Sequence, residues 1–124
     1  MPDFDQLIDH LRKRPGMYMD PTTLRVASAW LRGYDTACEG GVLHGFREWL
    51  IVRSDGGNNF AWEALVDALV PEHEQHTAAG AERLFALVAE FRSEVHRRGG
   101  LRRIFVDYDE WLRAQPWYDP TSQR

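Results

Sequence analysis

Residues 77–100 read TAAGAERLFALVAEFRSEVHRRGG, and their spacing decides the fold class. Ala81, Leu84, Phe85, Val88, Phe91 and Val95 recur at intervals of three and four. That period lines one face of an α-helix and has no strand equivalent, because a strand repeats every two residues. Thr77 stands where an N-cap belongs, and Gly99-Gly100 closes the run. The stretch predicts the longest helix of the chain.

Working outward, the same period recurs. Phe4, Leu7, Ile8 and Leu11 predict a helix over 3–13 with Asp3 as its N-cap. Asp20-Pro21 reads as the N-cap and first residue of a second helix. Its buried stripe is Leu24, Ala27, Leu31, Tyr34 and Cys38, its end is Gly40 or Gly41, and Gly33 suits close approach of a neighbour. Phe46, Trp49 and Leu50 suggest a third helix over 43–52, with a strand at 50–52 as the alternative. Ser54-Asp55-Gly56-Gly57-Asn58-Asn59 is the clearest loop, a flexible turn with the character of a contact segment. Trp62, Leu65, Val66 and Leu69 restore helical period before Pro71. Leu101, Ile104, Tyr108, Trp111 and Leu112 support a last helix, with a short strand at 104–106 left open. The expected architecture is all-α: one domain, 1–124, of five or six helices with an irregular tail over 116–124.

Composition bounds the function. The 124 residues, 44% hydrophobic and 27% charged, suffice for one core and exclude a disordered tail or a disulfide scaffold. The net charge of −4 disfavours nucleic acid as the main partner. Between 60 and 76 the chain carries Glu63, Asp67, Glu72 and Glu74 with no Lys or Arg. Such a stretch suits a partner with a basic surface. Arg92, Arg97, Arg98, Arg102 and Arg103 give the opposite sign further on. The lone Cys38 excludes an intrachain disulfide and points to a reducing cytoplasm. No apolar run is long enough for a membrane span, and Asp3, Asp5 and Asp9 do not fit a signal peptide.

Catalytic chemistry finds little support. His73 and His76 are one residue too close for the metalloprotease spacing and lack an evident third ligand. Cys38 lies on an apolar stripe and reads as a core cysteine; a small enzyme or small-molecule site would put its cavity there. Asp109 sits beside Tyr108 and Trp111, where a carboxyl can act as an acid, but it reads better as an N-cap. Trp49, Trp62 and Trp111 are expected in the core, whereas Trp117 and Tyr118, between Pro116 and Pro120, suit an exposed anchor. No catalytic residue, metal or cofactor is assigned.

The most specific string is Arg12-Lys13-Arg14-Pro15-Gly16-Met17-Tyr18. Turn chemistry accounts for it: bases at a helix C-terminus, Pro15 as a stop, Gly16 at positive φ, and Met17 and Tyr18 folding back between helices. The string resembles one near the N-terminus of the ATPase domain of the DNA gyrase B subunit. That family continues with a helix carrying Glu and Asn, where this chain has Ala27, Ser28, Ala29, Trp30 and Leu31. The Asp-x-Gly-x-Gly segment is also missing, so an ATPase is rejected.

The chain more broadly resembles small bacterial proteins that share this turn, then Leu31-Arg32-Gly33-Tyr34, then Phe46-Arg47-Glu48-Trp49-Leu50, then a Phe-rich helix. It departs from them at Met19-Asp20. Many of those proteins look like immunity proteins of toxin systems. The resemblance implies a cytoplasmic binding protein that occludes a toxin domain, with Glu63, Asp67, Glu72, Glu74, Trp117 and Tyr118 as the candidate contact residues.

Overall fold

A computed structural model of the protein describes residues 3–123 and holds six α-helices among them. These are α1 (Phe4–Lys13), α2 (Leu24–Ala37), α3 (Phe46–Ser54), α4 (Trp62–Leu69), α5 (Ala78–Val95) and α6 (Gly100–Arg113). Single 3₁₀ turns occupy Pro15–Met17, Glu72–Glu74 and Pro120–Gln123. The described residues form no strand, so both segments left open between helix and strand, at 50–52 and 104–106, are helical. None of the described helices is long and apolar enough to cross a membrane.

The stretch that decided the fold class is also its centre. α5 buries Ala81, Leu84, Phe85, Val88 and Phe91, and packs against α1, α2, α3 and α6. Val95 is only half-buried, because the helix leaves the core as it ends. Thr77 is the N-cap residue, yet its hydroxyl donates to the Glu74 carbonyl at 2.9 Å rather than capping α5.

α1 starts with a reciprocal cap. Asp3 Oδ1 accepts from the Gln6 amide at 2.8 Å, and Gln6 Oε1 accepts from the Asp3 amide at 3.1 Å. Its buried stripe is the expected Phe4, Leu7, Ile8 and Leu11. Two polar clamps hold the helix on α5. Arg12 donates to Glu82 at 2.6 and 2.9 Å, while Asp5 receives Arg92 at 3.0 Å and His96 at 2.5 Å. Burial pushes the Asp5 carboxyl up, but hydrogen bonds and charge from Arg92 and His96 together outweigh it and hold the carboxyl below its ordinary range. A lowered folded pKa stabilises the protein above the unfolded value, about 3.9, and that stabilisation is lost as pH falls through the lower folded value. Asp5→Asn is therefore expected to lower the urea midpoint at about pH 5, with the gap closing below about pH 4. A gap that persists unchanged into strong acid contradicts this.

The Pro15 turn is tighter than its sequence suggests. Pro15 does end α1, and the Tyr18 and Met19 amides both donate to its carbonyl, at 2.9 and 3.1 Å. Gly16, however, does not use positive φ, and Met17 is 72% exposed instead of anchoring the helices. Met19 is the buried methionine, with Tyr18 edge-on to Trp30 at 5.8 Å. A 3₁₀ turn rotates each residue by about 120°, which separates Met17 and Met19 on the turn.

Three expectations for α2 change. The helix begins after Thr23, whose Oγ1 accepts from the Val26 amide at 3.3 Å, so Asp20 and Pro21 lie in the preceding turn. Gly33 is exposed, with open space where a Cβ would stand. Cys38 is exposed rather than core, because α2 stops at Ala37 and the chain unwinds there. Glu39 takes φ +57° and Gly40 φ +76°; the Gly40 amide reaches the Asp35 carbonyl at 2.7 Å and the Glu39 amide the Thr36 carbonyl at 3.0 Å. The buried polar residue of this end is Asp35, whose Oδ1 accepts from the Leu43 amide at 2.9 Å and pins the returning chain. On α6, Asp109 is not a cap. It lies in the middle of the helix and pairs with Arg113 at 2.9 Å.

Candidate functional site

The loop after α3 is built to hold one conformation. Asp55 ends α3 at φ +52°, a left-handed geometry that Asp tolerates better than most residues. The Gly56 amide donates to the Ile51 carbonyl at 3.2 Å and the Phe60 amide to the Gly57 carbonyl at 2.9 Å. Gly57 has φ +85°, and a Cβ there would stand 2.2 Å from Leu65 Cδ2, so only glycine suits both the turn and the approach of α4.

Two helices brace the loop from outside. From α3, Arg47 donates through Nε to the Phe60 carbonyl at 2.7 Å and through Nη2 to the Asn58 carbonyl. From α6, the Tyr108 hydroxyl donates to Asn58 Oδ1 at 2.5 Å, and Trp111 Nε1 donates to Asp55 Oδ1 at 2.7 Å. Beyond α6, Gln115 Nε2 donates to the Trp111 carbonyl at 2.8 Å. The Trp117 ring then meets the Trp111 ring at 6.1 Å and 65°.

These braces shape a cleft of about 380 Å³ lined by residues 55–60 with Trp111, Gln115 and Trp117. Phe60 is 54% exposed and Trp117 is 56% exposed. Trp111, expected in the core, is half-buried and forms part of the wall. Among the described residues, no Lys, Arg or His lines the cleft. It offers aromatic faces, amide groups and one carboxylate on a rigid frame.

The structure divides the candidate contact residues. Trp117 is in the cleft; Tyr118 is half-buried, outside the lining, with the Arg113 guanidinium 5.8 Å from its ring centre. The four acids do not make one free patch. Glu63 is held by Arg32 at 2.5 and 2.7 Å. Glu74 is held by Arg83, and that hydrogen bond and charge keep its carboxyl below the ordinary range. Asp67 and Glu72 have no ion pair among the described residues. Glu63 and Asp67 line a second groove, about 770 Å³, between α2 and α4, with Leu24 and Ser28 along it.

The remaining candidates lie elsewhere. None of Arg14, Pro15, Gly16, Met17 and Tyr18 lines either hollow, and neither does Cys38. A third hollow of about 450 Å³ includes Asp35, His44, Arg47 and Trp62, and Arg32 lies over the Trp62 ring at 5.4 Å. His73 stands on the surface 3.8 Å from Glu74. Sequence reasoning singled out the loop that holds Asp55 but missed Phe60 as a residue of the cleft. The available signal was an aromatic residue placed directly after a Gly- and Asn-rich loop. No known protein family, curated protein or solved structure matches the chain.

Proposed function

We propose that the chain is a protein-binding module, an immunity protein that occludes a toxin domain, with Phe60 and Trp117 as its anchors. The observation that carries the binding reading is the pair of exposed aromatic rings on a loop braced by Arg47, Tyr108 and Trp111. Large aromatic side chains dominate interface energetics, and a loop already held in place loses little freedom on binding. The immunity role rests on the resemblance carried by the Arg12 to Tyr18 turn and the segments that follow it. Asp67 and Glu72, which have no ion pair among the described residues, add negative charge that speeds encounter with a basic partner surface. The setting is the cytoplasm, where a single exposed thiol such as Cys38 stays reduced.

Co-expression with a toxin domain encoded by an adjacent gene, once genome context identifies one, tests this. The unaltered chain is expected to restore growth. The Phe60→Ala/Trp117→Ala double variant is expected to lose about 100-fold in affinity for the toxin domain, about 3 kcal/mol. Both residues are exposed, so its stability should change by less than about 1 kcal/mol. Full neutralisation with unchanged affinity would place the contact elsewhere.

A further inference from the structure

We propose that the cleft takes the ammonium head of a lysine side chain on the partner, with Trp111, Trp117 and Phe60 as its walls and Asp55 as its counter-charge. This rests on the reading of Phe60 and Trp117 as partner contacts and adds the chemistry of what they hold. Aromatic faces attract cations through the ring quadrupole, most strongly for indole. Here two indoles meet edge to face at 65°, which sets their planes at an angle, and Phe60 lines the same cleft.

Asp55 supplies the second, independent argument. One of its oxygens accepts from Trp111 Nε1 at 2.7 Å, and Asp55 has no ion pair among the described residues. Elsewhere this chain pairs its carboxylates readily, as at Arg12–Glu82, Arg53–Glu90 and Arg103–Asp107. Trp62 and Trp49 likewise have Arg32 and Arg53 over their rings, whereas among the described residues no such cation covers Trp111 or Trp117. A cation supplied by a partner would complete the cleft. The Trp111 hydrogen bond also aids it, since an indole that donates to a carboxylate is polarised toward a more negative face.

The shape selects among cations. A guanidinium is flat and stacks best on parallel planes, whereas an ammonium is compact and suits planes set at an angle. The braced loop holds that arrangement before binding.

The test uses three amino-acid amides as probes: N-acetyl-lysine, N-acetyl-arginine and N-acetyl-norleucine methylamide. Binding is read from the NMR shifts of the Trp111 and Trp117 indole N–H groups. The lysine compound is expected to bind at least fivefold more tightly than either other compound. Trp117→Ala and Asp55→Asn are each expected to weaken it by about tenfold. Asn keeps the oxygen that accepts from Trp111 and tolerates left-handed backbone, so Asp55→Asn removes charge without removing the brace. Equal binding of norleucine, stronger binding of arginine, no shift with lysine, or an unaffected Asp55→Asn variant would each overturn the proposal. If the double variant loses its partner while lysine fails to bind, only this inference falls. If lysine binds while partner affinity is unchanged, the partner contact falls instead.

Discussion

Gly100→Ala is expected to destabilise the protein by about 3 kcal/mol or more and to lower its Tm by about 10 °C. Gly100 is the first residue of α6, and its amide donates to the Arg97 carbonyl at 2.7 Å. A Cβ there would stand 1.9 Å from the Glu94 carbonyl oxygen and 2.8 Å from that of Val95. Both atoms are backbone at the end of α5, so no side chain can swing aside. Relief requires moving the start of α6 away from α5. That helix carries Tyr108 and Trp111, so the loop at 55–60 should loosen as well. Gly33→Ala is the control: it adds the same methyl to open space on a helix and should be neutral or stabilising by up to about 1 kcal/mol. Urea denaturation of both variants decides the matter, and a Gly100→Ala loss below about 1 kcal/mol would contradict the close helix junction.

Phe46→Ala is expected to cost about 3–5 kcal/mol. Phe46 is fully buried at the start of α3, with its ring centre 5.2 Å from Phe91, 5.6 Å from Trp62 and 6.1 Å from Trp49. Those rings belong to α5, α4 and α3, so one side chain joins three helices. Truncation leaves a cavity walled by rigid aromatics that cannot collapse to fill it. A protein of this size has only about 5–15 kcal/mol in total. The loss should therefore populate unfolded chains at body temperature, while Phe46→Leu, which keeps most of the volume, should lose about 1.5 kcal/mol or less. Equal midpoints for the two variants would show that the site relaxes around the gap.

Helical periodicity made the core of α1 and α5 legible, because every buried position there is apolar and falls on the period. It failed where polar contacts decide burial. Cys38 fits the stripe of α2 but is exposed, whereas Asp35 is taken inside, because the Leu43 amide satisfies its carboxylate across eight residues. It failed too at turns, where the 3₁₀ geometry left Met17 outside and turned Met19 inward. Of the cleft, Trp117 was legible as an aromatic residue with little claim to the core. Phe60 was not, because what holds it outward is Arg47, thirteen residues earlier, and a helix that begins forty residues later. The acidic stretch looked like one surface because its neutralising partners, Arg32 and Arg83, lie outside it in sequence.

The clamps between α1 and α5 join residues 70 to 91 positions apart. During synthesis at about 5–20 residues per second, α1 leaves the ribosome roughly 5–20 s before α5 is complete. Through that interval Phe4, Leu7, Ile8 and Leu11 have no α5 to cover them. The apolar face of α1 thus stays uncovered by its main packing partner until α5 has been made.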